Sequence, residues 1–408
     1  MRPGVLLAIL LCALSLAGQA RAFDLSGDLT VSGYADLRAV APTGQTSWLR
    51  GGLGKFRYGN DDGALQFGEG ILQLDGDLGE RLAGIVVLRA EPRTPGVVDA
   101  LESYLRYTPA GDGDLSWSAK VGAFFPAISL ENDDLGWASP YTLTPSAINS
   151  WIGDELRTLG GEATLRWRTA FGTASVIGAV LCCNDEAGIL MADRGWSMDD
   201  RPMGLFERVR LPVSTRRLFF QPGYARTGMF DEIDGRPGWY AGVNWQMPAV
   251  GKISVLRYDN DADPADRTSR DTAWDTRFWS FGGRTQFGPL VLISQGLIGQ
   301  TVIKPRPNIV GDTKFRSAFL LASYDFEDWR LSGREDLFQT RRVAASASPL
   351  SEDGHAFTAS LSWSGFDGLR LTGEVITMQS RRGEYLRAGL PSADRGDTQF
   401  QFDTRFFF

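Results

Sequence analysis

The chain has 408 residues, with 42 Lys or Arg against 49 Asp or Glu, one histidine and a formal net charge of −7. A net acidic balance argues against nucleic acid as a partner, and a single histidine leaves little for the base-and-orienter chemistry of hydrolases. After the first 22 residues no apolar run approaches the roughly 18 residues of a helical membrane span.

Residues 1–22 read as an export signal. Arg2 supplies the positive start, Val5 to Leu16 the apolar run and Ala20-Arg21-Ala22 the small-x-small cleavage site, so the mature chain is expected to begin at Phe23. Cys12 lies in the apolar run without the sequence context of a lipid-anchored cysteine. Losing Arg2 and Arg21 leaves 40 basic against 49 acidic residues, a balance of −9.

Residues 23–408 form one repeating pattern with no linker: an alternating strand, a short turn, a second alternating strand and a longer polar loop. Side chains along a strand point to opposite faces in turn, so each such strand is apolar on one side and polar on the other. A chain of this kind can cross a membrane only as a closed barrel, because hydrocarbon tolerates no unpaired strand edge. The 48 glycines suit many short, twisted strands.

Gly27 to Arg38 alternates well as a first strand, and Trp48 to Tyr58 competes with it. The run Gly51-Gly52-Leu53-Gly54-Lys55 lacks phosphate-loop spacing. Seventeen strands follow from Ala64 onward. Both termini belong at one end, which requires an even total, so the count is 18 with 16 as the alternative. At 18 strands each has about 21 residues with its share of loop, ample for roughly 9–11 membrane-buried positions. A barrel of this width encloses an aqueous channel.

Short turns join residues 101–107 to 115–124, 159–168 to 173–181, 239–247 to 252–258, 274–287 to 290–300 and 315–324 to 329–338. The clearest hairpin runs from Phe357 to Trp363, turns at residues 364–368 and returns from Leu369 to Val375. Its Thr358, Ser360, Ser362, Arg370, Thr372 and Glu374 face away from the apolar side. Long polar loops cover residues 126–157, 184–203, 227–237, 259–273, 304–313, 342–355 and 381–396. Sorting short turns to one end and long loops to the other is the asymmetry of an outer-membrane barrel. Trp117, Trp167, Trp245, Trp329 and Trp363 stand beside short turns on the apolar face. They match an aromatic girdle, where a ring is buried while its N–H stays wet.

Residues 126–157 are the most informative loop. They carry Glu131, Asp133, Asp134, Asp154 and Glu155 together with Leu130, Leu135, Trp137, Tyr141, Leu143, Ile148 and Trp151. A loop this long and this apolar is expected to be packed, and Trp137, Tyr141 and Trp151 would hold it inside the barrel. Arg106, Lys120, Glu162, Arg166 and Arg168 share the lumen parity of nearby strands. Glu131, Asp133 and Asp134 opposite Arg106, Lys120, Arg166 and Arg168 would set up a transverse field across a constriction. The same charges serve equally to hydrate a wet lumen.

Cys182 and Cys183 are adjacent and bridge only with strain, so they read as two thiols near a strand end, with a vicinal disulfide as the alternative. Asp259, Asp261, Asp263 and Asp266 begin like a calcium loop, but the sixth and twelfth positions are Pro264 and Arg270 where Gly and Glu are required. His355 falls at the end of a polar loop with no nucleophile motif around it. In the last twelve residues Phe400, Phe402, Phe406 and Phe408 take one parity and Gln399, Gln401, Asp403 and Arg405 the other.

The amphipathic last strand ending on Phe408 resembles the assembly signal of Gram-negative outer-membrane proteins. Residues 136–151, Gly-Trp-Ala-Ser-Pro-Tyr-Thr-Leu-Thr-Pro-Ser-Ala-Ile-Asn-Ser-Trp, resemble segments of Gram-negative porins. In general porins the third external loop folds into the barrel, and the loop here follows the sixth strand in the count above, taken as that position. The resemblance implies an all-β, up-and-down transmembrane barrel in the outer membrane. It implies a water-filled channel for passive diffusion of small hydrophilic solutes or ions, without a cofactor and without enzymatic activity. Its partners would be outer-membrane lipid, lipopolysaccharide, the barrel assembly machinery and further copies in a homotrimer. The rival reading is a non-conducting barrel that binds partners through its loops. TonB-dependent transport does not fit, since the chain has no room for both a plug domain and about 22 strands.

Overall fold

A computed structural model describes residues 23–24, 28–41, 44–92, 98–111, 113–211, 226–268, 271–342, 351–387 and 389–408. The export signal at residues 1–22 therefore lies outside the described residues. The architecture is a closed antiparallel barrel of sixteen strands.

In chain order the strands are β1 (Leu29–Ala41), β2 (Leu65–Asp77), β3 (Leu82–Ala90), β4 (Val98–Tyr107), β5 (Leu115–Phe124), β6 (Thr158–Thr169), β7 (Gly172–Cys182) and β8 (Gly238–Met247). They continue as β9 (Gly251–Asp259), β10 (Asp275–Phe287), β11 (Leu290–Arg306), β12 (Ile309–Phe326), β13 (Trp329–Arg342), β14 (Glu352–Phe366), β15 (Leu369–Arg382) and β16 (Asp394–Phe407). Each strand pairs with its sequence neighbours, and β16 closes the ring on β1 from Phe400 opposite Ala41 to Phe407 opposite Tyr34. Gly33 and Phe408 exchange backbone hydrogen bonds of 3.0 Å. The start of β1 and the end of β16 thus lie at the end of the short turns.

The count of sixteen, and not eighteen, has a definite cause. β7 pairs directly with β8 through nine consecutive positions, from Gly238 opposite Leu181 to Gln246 opposite Thr173. The described residues between them join no wall strand, and Arg208–Arg210 pairs antiparallel with Arg226–Gly228 in a small sheet set apart from the wall. Sequence alternation alone reads this region as two more wall strands. Trp48 to Tyr58 is likewise not a strand; it is a loop whose Trp48, Phe56 and Tyr58 are buried. The expected loop at 304–313 is absent, because β11 and β12 extend to a two-residue turn at Pro307 and Asn308. His355 belongs to β14, exposed on its outer face, and is not a loop residue.

Strand parity decides which face each residue takes. On β16 Gln399, Gln401, Asp403 and Arg405 are buried in the interior, while Phe400 and Phe402 are 56% and 49% exposed on the outer wall. Leu320, Leu331, Leu337, Phe281, Val243 and Val176 continue that outer apolar surface on other strands. An apolar outer band with a polar interior is what a lipid-embedded barrel requires. Trp117, Trp167 and Trp329 are exposed beside short turns, and Trp363 packs against Trp329 with ring centroids 6.3 Å apart. Trp245 lies opposite Ile253 on the same outward face.

Candidate functional site: a loop-filled lumen

The third long loop leaves the fifth strand, not the sixth, and turns into the barrel. Its helix α1 (Ala147–Glu155) has all nine residues buried. Ser146 caps it, its hydroxyl accepting from the Asn149 N–H at 3.2 Å. A helix buried on every side needs an apolar surround, and Trp151 finds one. Its ring lies 5.4 Å from Phe278, 5.1 Å from Phe315 and 6.2 Å from Trp196. Inward residues of many wall strands, among them Ile177, Tyr240, Leu256, Phe319, Ile376 and Met378, join this cluster. The lumen at this height is therefore packed like a core.

The stretch before α1 is tied to the wall by polar side chains that face inward. The Arg334 guanidinium on β13 donates to Thr142 Oγ1 at 2.9 Å, to the Thr144 carbonyl at 2.7 Å and to the Pro145 carbonyl at 3.0 Å. Asp336 holds Arg334 at 2.7 Å and accepts from the Ala147 N–H at 3.0 Å. Glu374 on β15 accepts from the Leu143 N–H at 2.7 Å, and Gln401 on β16 donates to Glu374 and to Thr144 Oγ1 at 3.0 Å each. These bonds satisfy loop backbone groups that would otherwise be buried without partners.

The loop acids reach the far wall. Asp133 pairs with Arg284 on β10 at 2.6 Å, Asp134 with Arg370 on β15 at 3.1 Å and Glu131 with Arg334 at 3.5 Å. This differs from the expected pairing with Lys120, Arg166 and Arg168. Lys120 pairs instead with Glu162 at 3.1 Å, and Arg166 donates to Ser118 Oγ at 3.0 Å. Arg166 and Arg168 are exposed near the short-turn end. The register sets Arg106 opposite Lys120 and Lys120 opposite Glu162 in one inward row on β4, β5 and β6. The reason for the difference is direction. The loop starts beside β5 and crosses the lumen, so its first charged turn lands on β10 to β15.

Trp137 and Tyr141 each pack against an aromatic or cationic partner. Trp137 stacks on Phe125 at 4.3 Å with an interplanar angle of 4°. Tyr141 lies between the guanidinium groups of Arg284 and Arg330, 5.5 and 5.4 Å from its ring. Gly136 has φ 67°, and a Cβ there would stand 2.8 Å from Ile71 Cγ1, so the turn onto β2 needs glycine.

The long connection after β7 folds inward as well and locks α1. Glu155 accepts from the N–H groups of Gly188 at 3.1 Å, Leu190 at 2.8 Å and Met191 at 3.2 Å, and from the Trp151 indole. It thus caps the short helix α2 (Ile189–Asp193). Desolvation pushes the Glu155 carboxyl up to about 7 against the lowering pull of these donors. Arg194 pairs with Asp154 at 2.9 Å, and Ser150 Oγ donates to the Asp199 carbonyl at 2.9 Å.

Against the wall of β1, β2 and β16 lies a buried ionic network that includes Asp36, Arg38, Asp403 and Arg405. Asp200 of the long connection pairs with Arg38 and with Arg57, the latter at 3.1 Å. The two guanidinium groups hold the Asp200 carboxyl well below its ordinary value despite burial. Between this network and the third loop runs a seam bordered by Glu69, Asn132, Ser139, Asn149, Asp200 and Arg405, with about 20 Å³ of free volume. That is room for about one water. Arg334, Asp336, Glu374, Arg284 and Arg38 were not singled out from sequence as site residues. The available signal was charge at lumen parity, which marks Arg370 and Glu374 in the hairpin after Phe357.

At the end of β7, Cys182 and Cys183 form a disulfide, correcting the reading of two free thiols. Cys183 takes a positive φ of 67°, which turns the chain sharply at the strand end and lets neighbouring side chains meet. Its N–H donates to Glu232 Oε2 at 2.9 Å.

No protein-family model matches the chain, and no curated protein does. Solved structures do. The outer-membrane channel DcaP of Acinetobacter baumannii superposes with a TM-score of 0.58 at 8% identity, over 95% of this chain and 99% of that one. OmpF of Salmonella typhi gives 0.54 at 11% identity, over 95% and 100%. The trimer form of OmpT from Vibrio cholerae gives 0.50 at 10%, over 93% and 100%. With its closed sixteen-strand wall and outward apolar band, the chain shares the antiparallel β-barrel fold of these outer-membrane proteins.

Proposed function

We propose that this protein is an outer-membrane porin of restricted bore, exported by residues 1–22 and passing small hydrophilic solutes or ions passively. The observation that carries the reading is the inward third loop, whose Asp133 and Asp134 meet Arg284 and Arg370 of the opposite wall. Opposed charges across a narrow wet passage orient polar solutes and disfavour apolar ones. The inward charges of Arg106, Lys120, Glu162, Arg166 and Arg168 fit a wet vestibule on the short-turn side. The outward tryptophans fit the girdle role, and Phe408 fits that of the assembly signal read by the barrel assembly machinery. A homotrimer is consistent with the reading, since a single barrel of this kind is complete in itself and associates through its outer wall.

The tight packing around α1 favours a second reading, a barrel closed at rest that acts by binding. Planar-bilayer recording separates the two. Small, stable, ohmic steps that scale with salt support the channel, and larger steps follow from deleting residues 131–153. Silent insertions of wild-type protein with folding intact, opened only by that deletion, would favour the closed barrel.

A further inference from the structure

The outer wall carries a second feature, at the long-loop end of β9 to β13. Arg257 of β9, Arg277 of β10, Lys314 and Arg316 of β12 and Arg341 of β13 converge around a hollow of about 500 Å³, with Ile298 and Gln300 of β11 between them. The register accounts for the grouping. Arg277, Gln300, Lys314 and Arg341 form one outward row, and Arg257, Trp279, Ile298, Arg316 and Gln339 the row beneath it. Among the described residues no carboxylate lines the hollow. Asp259 pairs with Arg257 at 3.2 Å and Asp275 with Arg277 at 3.9 Å, while Asp312 stands on β12 near Lys314. Among the described residues Lys314, Arg316 and Arg341 form no salt bridge.

Position identifies the ligand class. These side chains point away from the lumen, so a permeating solute does not meet them. Trp279 and Ile298, 51% and 55% exposed, share the lower row with Arg257 and Arg316, and Phe281, Leu320 and Leu337 of the apolar band follow below. A cation facing lipid is costly at the bilayer midplane and nearly free at its boundary. The cluster therefore sits where headgroups begin. Guanidinium groups bind phosphate through paired N–H donors, and an ammonium adds a compact charge. Acyl chains of a bound lipid would lie on the apolar band beneath.

We propose that this hollow is a binding site for the phosphorylated headgroup of an outer-leaflet lipid. The proposal rests on the chain being an outer-membrane barrel and not on whether it conducts, so silence in a bilayer leaves it standing.

Native mass spectrometry of the detergent-solubilised protein with bisphosphorylated lipid A, its dephosphorylated form and inorganic phosphate tests it. Folding of each variant is checked by heat-shifted electrophoretic mobility, and Arg316→Gln alone serves if the triple variant misfolds. Wild-type protein is expected to retain bisphosphorylated lipid A, with retention about tenfold weaker in Lys314→Gln/Arg316→Gln/Arg341→Gln, equivalent to about 1.4 kcal/mol. Dephosphorylated lipid should be retained no better by wild type than by the variant. Equal retention of bisphosphorylated lipid A by both folded proteins would overturn the assignment. So would complete displacement by inorganic phosphate at equal concentration, which would make the hollow a simple anion site. A change in oligomeric state with lipid retention unaltered would give the face to a second copy of the chain instead.

Discussion

Asp133 and Arg284 meet at 2.6 Å although 151 residues separate them in sequence. The contact joins the start of the third loop to the strand wall across the lumen, and Asp134 with Arg370 repeats it one residue further on. The first charged turn of the loop is therefore held to the wall by ion pairs.

Selectivity should respond to these pairs. Both are partly exposed, so neutralising Asp133 and Asp134 together should cost little stability, under about 1 kcal/mol per pair. It leaves Arg284 and Arg370 unopposed and should move the reversal potential in a salt gradient toward anions, most at low ionic strength. Arg284→Gln with Arg370→Gln should move it toward cations. The loop is not the filter if both double variants keep the wild-type value at low salt.

Arg334 is different, because it is buried and serves the loop backbone. Replacing it with Met removes donors from Thr142, Thr144 and Pro145 and leaves Glu131 and Asp336 without their cation. Breaking a buried pair in this way costs about 3–5 kcal/mol. Much of that cost should appear as release of the loop and not as loss of the barrel. Limited proteolysis between residues 126 and 157 should accelerate while the heat-shifted mobility of the barrel persists. Unchanged cleavage would show that Glu374 and Gln401 hold the loop without help.

The Glu155 carboxyl gives a pH signature. Its pKa is raised to about 7 in the folded chain, so between the ordinary carboxylate range and that value the folded state binds the proton more tightly than the unfolded chain. Stability is then highest at low pH within this window and falls as pH rises toward about 7, by about 3 kcal/mol for this group. Glu155→Gln keeps an acceptor for α2 and cannot ionise, so its denaturant midpoint should fall less between about pH 5 and about pH 8. Asp154 and Glu186 are also raised by burial, so some slope should remain. Identical slopes in both proteins would mean that Glu155 stays ionised throughout.

The outer face of β16 can be tested directly. Phe402→Arg puts a charge on the lipid side of the wall and should cost about 2–4 kcal/mol near the midplane, whereas Phe402→Leu should cost far less. Folding yield into detergent-free vesicles measures the difference. Equal yields for Arg and Leu would place Phe402 outside the bilayer. Removing Phe408 should lower the amount of inserted protein in cells more than folding in vitro, and normal insertion in cells would argue against the signal role.

Much of the wall was legible before any coordinates. A strand repeats every two residues, so the faces of Phe400, Gln401, Phe402 and Asp403 follow from neighbours in sequence, and so do the hairpin after Phe357 and the sorting of turns from loops. The burial of residues 126–157 was legible for a similar reason: Trp137, Tyr141 and Trp151 are too apolar for an exposed loop. What period two could not decide was whether alternation near residue 208 belongs to the wall. That depends on β7 finding β8 across the long connection, a pairing between residues distant in sequence. The partners of Asp133, Asp134 and Glu131 were likewise beyond local pattern, since many lumen arginines were equally suitable and only the path of the loop across the barrel selected Arg284, Arg370 and Arg334. Local alternation determined the kind of wall and the faces of its residues. The sixteen-strand closure and the filling of the lumen by α1 were decided by long-range packing, because each depends on where the ring brings distant segments together.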